Sequence, residues 1–189
     1  MGQTADGAYS TSGMTGHPSA LSSDTDTSAD FVGNMSHFSA PHSNALNMTG
    51  QLSIEAWIKP DILTGTRYIL NKTTGNVYSL YVADGKLVFR IRSGGVYRTL
   101  EAPGVLTTGS WQHVVGTFNG STFSLYRNGV KVAETTPASC PCTVDTSVNS
   151  LYVGALDSTT GWFDGGVDEV AVYGSALSAS QVQNHYDRR

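Results

Sequence analysis

Carboxylates and imidazoles are the groups of this 189-residue chain most able to do chemistry, and their spacing argues against catalysis. Cleaving a glycosidic bond takes two carboxyl groups flanking it from neighbouring strands or loops. The four glutamates, Glu55, Glu101, Glu134 and Glu169, are scattered. Asp168 and Glu169 are adjacent in an alternating run, so as strand residues they point to opposite faces and cannot share one substrate. Serine-hydrolase and metalloprotease motifs are absent, and no catalytic residue is expected. Calcium is a better match for the acidic residues, because it takes about six to eight oxygens from carboxylates, carbonyls and water. Asp24, Asp26 and Asp30 stand early in the chain, and Asp164 and Asp168 late. The two cysteines, Cys140 and Cys142, form Cys-Pro-Cys. They read as one local disulfide or two thiols in a surface loop; a bridge across one residue closes a small, easily reduced ring. They are too few for a structural zinc site, and no thioredoxin-like pattern surrounds them.

Sugar recognition asks for aromatic rings against C–H faces and planar polar groups against hydroxyls. Reading Lys86–Arg92 with period two sends Leu87, Phe89 and Ile91 to the core and leaves Val88, Arg90 and Arg92 opposite. The same reading of Val77–Ala83 puts Ser79 and Tyr81 opposite Tyr78, Leu80 and Val82. If these strands are neighbours, Tyr81, Arg90 and Arg92, with Trp57, line a groove, where arginine favours carboxylated glycans through bidentate pairing. The alternative is that both arginines are solvated strand residues. Trp162, in the Ser-, Thr- and Gly-rich loop 157–164, and Tyr97, in Gly94-Gly-Val-Tyr97, are expected as an exposed aromatic pair, with Phe163 turned inward. Trp57 and Trp111 are expected to pack under loops, and His113 to be a hydrogen-bonded interior histidine.

The elements that position these residues are strands. Leu52, Ile54, Ala56 and Ile58 alternate with Ser53, Glu55, Trp57 and Lys59. Asp84-Gly85, Asn119-Gly120 and Asn128-Gly129 mark hairpins, which makes 111–118, 122–127 and 130–135 a meander. Leu151–Ala155 and Val167–Tyr173 add two late strands. One helix is expected at the end, where Ser178 with Gln181 forms a capping box and Val182 and Tyr186 share a face. We expect one domain over 1–189, with an irregular entry segment at 1–28 carrying at most a short strand near Ala8–Tyr9, and a sandwich core at 29–186. The fold class is all-β: a two-sheet antiparallel jelly-roll sandwich with one short C-terminal helix.

Composition narrows the partners. Charged residues are 14% of the chain and the formal net charge is -4, with no basic cluster, so nucleic acid is not expected. No apolar run is long enough to span a membrane, so no membrane insertion is expected. The Gly-, Ser- and Thr-rich profile suits a secreted, extracellular β-protein, and polar sequence directly after Met1 reads as a mature portion without a leader.

Six short motifs occur in a telling order: Phe31-Val-Gly33, Glu55-Ala-Trp57, Trp111-Gln-His113-Val, Tyr126-Arg-Asn128-Gly129, Tyr152-Val-Gly154 and Val167-Asp168-Glu169-Val170. Together, over Ala29 to Tyr186, they resemble the laminin-G-like, concanavalin A-like lectin/glucanase superfamily. The resemblance implies a recognition module attached to larger extracellular proteins. It also implies that the entry segment lies beside the closing strand around a structural calcium, held first by Asp168, then by Asp26 and Asp24. The alternative there is that Asp168 caps nearby backbone amides. One departure is visible: relatives often begin with a further strand that pairs beside the closing strand, and no matching string is found. Either Met1–Tyr9 replaces it or an edge is left to be covered. The expected function is a non-catalytic, lectin-like module binding a polysaccharide or cell-surface glycan; the competing expectation is a structural or adhesion domain meeting protein, including other domains of a parent protein.

Overall fold

The computed structural model describes residues 8–9, 15–21, 27–33, 35–72 and 75–188. In chain order its strands are β1 (Ala8–Tyr9), β2 (Thr15–Pro18), β3 (Thr27–Val32), β4 (Phe38–Ala40), β5 (Leu52–Pro60), β6 (Thr66–Lys72) and β7 (Tyr78–Ala83). They continue as β8 (Lys86–Ser93), β9 (Val96–Pro103), β10 (Gln112–Phe118), β11 (Phe123–Arg127), β12 (Val130–Thr135), β13 (Leu151–Val153) and β14 (Asp164–Tyr173), and helix α1 (Ala179–Asp187) follows. Sheet one has the order β1-β4-β13-β6-β7-β8-β9, and sheet two the order β12-β11-β10-β5-β14-β3-β2. Every strand pairing is antiparallel. The jelly-roll sandwich with one short C-terminal helix is the fold of this chain.

The hairpins form where positive backbone angles are tolerated. Asp84 and Gly85 have φ of 47° and 80°, and Asn128 and Gly129 have 51° and 80°, the signature of type I′ turns. Asn119 works differently: its side-chain oxygen accepts from the backbone amides of Ser121 and Thr122 at 3.0 and 2.8 Å. Between the sheets, Leu52, Ile54, Ala56 and Ile58 of β5 meet Leu80, Val82, Leu87, Phe89 and Ile91 of β7 and β8 in one apolar core. Each of these side chains larger than Ala56 contributes roughly 1.5–3 kcal/mol on full burial. Gly116 of β10 leaves room for Phe89, whose ring would lie 2.7 Å from an added Cβ.

Two expectations about the entry segment are corrected. The short strand expected near Ala8–Tyr9 is present as β1, but the stretch 1–28 also holds β2 and the start of β3, which pair with each other. Nor is the closing strand's neighbour missing: β3 lies against β14 with Ala29 opposite Val167 and Val32 opposite Asp164, and β2 covers the outer edge. Thr15-Gly-His-Pro18 hides this role because Gly and Pro are poor strand formers, and Pro is tolerated only where an edge leaves its missing N–H unneeded.

The outer face of sheet two is also buried, which alternation on β5 alone does not reveal. Helix α1 and the residues just before it cover this face, packing Val182 of the helix and the preceding Leu177 on Val115 and Tyr126. Trp57 therefore lies under the helix rather than under a loop, stacked on Tyr186 at 5.8 Å. The capping box forms as expected, with the Ser178 hydroxyl accepting from the Gln181 amide and the Gln181 side chain accepting from the Ser178 amide. Ser178→Ala is expected to cost about 1 kcal/mol, read as a lower urea midpoint with unchanged slope.

Candidate functional site

The outer face of sheet one carries most of the residues expected at a binding site. Strand register fixes their neighbours: Asn71 stands opposite both Tyr152 and Ser79, Ser79 opposite Arg90, and Arg90 opposite Thr99. Tyr81 stands opposite Tyr68 and Val88, and Arg92 opposite Tyr97. A register shift on β6 between Tyr68 and Leu70 sends Ile69 and Leu70 both into the core. That bulge is why Tyr68 and Asn71, three residues apart, face the same way.

Arg90 sits between two rings, with its guanidinium carbon 4.9 Å from the Tyr81 centroid and 5.1 Å from the Tyr97 centroid. Its Nε donates to Thr99 Oγ1 at 3.2 Å. Tyr97 is 49% exposed, whereas Tyr81 is 3% exposed and packs with Tyr68 and Val88 beneath Leu156. Tyr81 thus forms a floor under Arg90 rather than an open wall. Burial pushes its phenol up to about 12 despite the nearby guanidinium.

Beside Tyr97 opens a cleft of about 410 Å³, lined by Gly75, Asn76, Tyr97, Asn149, Ser150, Tyr152, Leu156 and Asp157. Arg92 borders this region but is already engaged. It pairs with Asp145 at 3.6 Å, and Asp145 also accepts from the Gly94 and Gly95 amides at 2.8 and 3.0 Å. This arrangement ties the β8–β9 hairpin tip to the loop before β13. Trp162 is not among the cleft-lining residues. It is half-buried, and its carbonyl accepts from the Arg67 guanidinium at 3.1 Å, while Phe163 is fully buried. The structure therefore brings Tyr81, Arg90 and Tyr97 together, sets Arg92 alongside in an ion pair, and leaves Trp162 off the cleft. Sequence reasoning missed Tyr152, whose outward parity on β13 was a usable signal, and Asn76, Asn149 and Ser150, which lie in loops without period.

Among the described residues no pair of carboxylates lines this cleft. Among its lining residues Asp157 is the one acid, and its Oδ1 accepts from Thr159 N, Thr159 Oγ1 and Thr160 N. Glu101 pairs with Lys86, and Glu134 with Lys131. Glu55 lies on the other sheet, buried under α1. It accepts from His113 Nε2 at 2.6 Å, from His185 Nδ1 at 3.0 Å and from the Tyr173 hydroxyl at 2.8 Å. Burial alone would raise its pKa, but these hydrogen bonds prevail and hold it at about 2.

The calcium expectation meets a different chemistry at Asp168. Its Oδ2 accepts from Ser19 Oγ at 3.0 Å and from the Ala20 amide at 2.8 Å, and its Oδ1 from the Glu169 amide at 3.0 Å. The closing strand does reach the entry segment here, through hydrogen bonds. Asp24 and Asp26 lie outside the described residues. Among the described residues no three His, Cys, Asp or Glu side chains form a group able to hold a metal. The cysteines are joined, Cys140 to Cys142, in the loop after β12. No helix among the described residues is long and apolar enough to cross a membrane.

A jelly-roll sandwich with an open aromatic cleft on one sheet defines a lectin-like class of fold. By the match of a family model over residues 15–183, the chain belongs to the concanavalin A-like lectin/glucanases superfamily. No curated protein matches it in sequence. Its fold is similar to the binding domain of Paraclostridial Mosquitocidal Protein 1 (TM-score 0.74, 16% identity), covering 96% of this chain and 47% of that one. It is similar also to the botulinum neurotoxin serotype D ligand binding domain solved in complex with N-acetylneuraminic acid (TM-score 0.72, 14% identity, 96% of this chain and 45% of that one). The botulinum neurotoxin serotype G binding domain compares at a TM-score of 0.70 and 13% identity, over 94% of this chain and 47% of that one. The chain thus spans less than half the length of these binding domains.

Proposed function

We propose that this protein is a non-catalytic, secreted carbohydrate-binding module, part of a larger extracellular protein, that takes a polysaccharide or cell-surface glycan on the outer face of sheet one. The observation that carries the reading is Tyr97: a half-exposed ring, backed by Arg90, at the edge of a cleft whose other walls include Asn76, Asn149, Ser150, Tyr152, Leu156 and Asp157. A ring so placed offers a face to sugar C–H groups, while Asn76, Asn149 and Ser150 offer donors and acceptors to hydroxyls. The serotype D neighbour, crystallised with N-acetylneuraminic acid, is in keeping with this reading. A glycan and polysaccharide panel, run in calcium and again in chelator, tests it. Wild type is expected to bind at least one glycan, and Tyr97→Ala to weaken that binding by about tenfold or more while unfolding like wild type. Loss of binding or of thermal stability in chelator supports the expected structural calcium.

A second reading, an adhesion domain meeting protein, is favoured by two exposed apolar side chains next to cleft residues in sequence: Val96 at 55% and Val148 at 79% exposure. Silence of a folded protein across the panel, together with concentration-dependent self-association, decides for it.

A further inference from the structure

The cations on the outer face of sheet one are not equivalent. Lys86 is neutralised by Glu101 at 2.8 Å and Arg92 by Asp145 at 3.6 Å. Arg67 donates to the carbonyls of Thr64 and Trp162. Arg90 has neither a carboxylate nor a carbonyl partner in the described residues; its contacts are Thr99, Tyr81 and Tyr97. Two rings and a threonine fix the plane of its guanidinium, and a pre-oriented planar fork matches a planar carboxylate.

A second observation stands in the same cross-strand row. Asn71 and Ser79, the neighbours of Arg90 in register, are both fully buried, and Asn71 Oδ1 and Ser79 Oγ have no hydrogen-bond partner. Asn71 Nδ2 is engaged, donating at 2.7 Å to the carbonyl of the cleft residue Leu156. Buried polar atoms are normally satisfied, so two unmet ones side by side mark a place where an ordered internal water completes the set beneath the face that carries Arg90. Strands lie about 4.8 Å apart, so the row from Asn71 to Arg90 covers about 10 Å, the scale of one sugar residue with its substituents.

Resting on the glycan reading above, we propose that this face recognises an acidic polysaccharide through the carboxylate of a uronic-acid residue. Arg90 takes the carboxylate and Tyr97 takes the ring face, while the buried Asn71–Ser79 pair behind them is met by ordered internal water. Asp157 stands against an anion elsewhere in the cleft, but three hydrogen bonds from Thr159 and Thr160 already engage its Oδ1. The assignment therefore places the carboxylate at Arg90, beside the cleft and joined to it through the Tyr97 ring.

Affinity electrophoresis in gels containing polygalacturonate, dextran or dextran sulfate tests this with the whole chain. Wild type is expected to bind polygalacturonate at least tenfold more tightly than dextran. Arg90→Gln is expected to abolish that preference, and Arg90→Lys, which keeps the charge without the fork, to restore only part of it. Equal binding of polygalacturonate and dextran, or an unchanged preference in Arg90→Gln, overturns the uronic-acid inference and leaves the glycan reading standing. Dextran sulfate bound as tightly as polygalacturonate, with full recovery by Arg90→Lys, also overturns it in favour of charge attraction alone. Failure of the folded wild type to bind any of these or any glycan of the panel overturns both readings.

Discussion

Replacing Glu55 with Gln is expected to destabilise the protein by on the order of 3 kcal/mol at pH 7. Gln keeps the shape of the side chain and removes the charge. His113, His185 and Tyr173 all donate to this carboxylate, and it is 5% exposed. In the folded protein it is held at about 2, against 4.5 as its ordinary value. A carboxylate depressed by folding contributes stability that is complete above its unfolded value and disappears as pH falls toward its folded one. Wild type is therefore expected to lose this contribution between about pH 4.5 and pH 2, while the Gln variant shows no such fall from this group. Urea unfolding at pH 7, 4 and 2.5 checks it. A gap between variant and wild type that stays constant across that range sinks the argument. Because His185 sits on α1 and Glu55 on β5, the variant is also expected to loosen the helix, read as faster amide exchange over 179–187.

Gly165→Ala is the other large effect, expected at about 3 kcal/mol or more. Gly165 has φ of 123°, in a region that side chains rarely adopt, at a point of β14 where β3 and β5 pair on either side. An added Cβ would overlap the Lys59 carbonyl oxygen and lie 2.8 Å from the Asp61 amide, which itself donates to the Asp164 carbonyl at 2.9 Å. These are backbone atoms in a paired strand and cannot move aside cheaply. Gly85→Ala is the matched control: φ there is 80°, but no atom lies within 4 Å of the added Cβ. It should cost only the backbone strain, about 1 kcal/mol. Similar midpoints for the two variants in guanidinium denaturation would show that strand packing at Gly165 is looser than the structure has it.

These two cases mark where sequence reading stops. Glu55 was legible as a strand residue facing away from Leu52, Ile54 and Ile58, but nothing local announced that His185, 130 residues later, would meet it. Gly165 is one of 21 glycines, and where Asp84-Gly85 announces a turn, nothing around Gly165 announces a glycine needed inside a paired strand. On the candidate site, period two correctly placed Arg90, Arg92 and Tyr81 on one face, because alternation follows from strand geometry. It was silent on which of them is buried, since Tyr81 is covered by a loop from Leu156 that carries no period.

What the sequence determined by itself is what rests on short-range physics. The β5 alternation, the Asp84-Gly85 and Asn128-Gly129 hairpins, the Ser178 capping box and the ordered motifs that point to the family all involve residues within a few positions of one another, where backbone sterics and side-chain periodicity act. Tertiary structure alone decided the pairing of β3 with β14, the covering of Trp57 by α1, the ion pair that occupies Arg92 and the row joining Asn71, Ser79 and Arg90. Each of these depends on contacts between segments far apart in the chain. Which face is covered, and which charge finds a partner, is settled only when both sheets and the helix pack together.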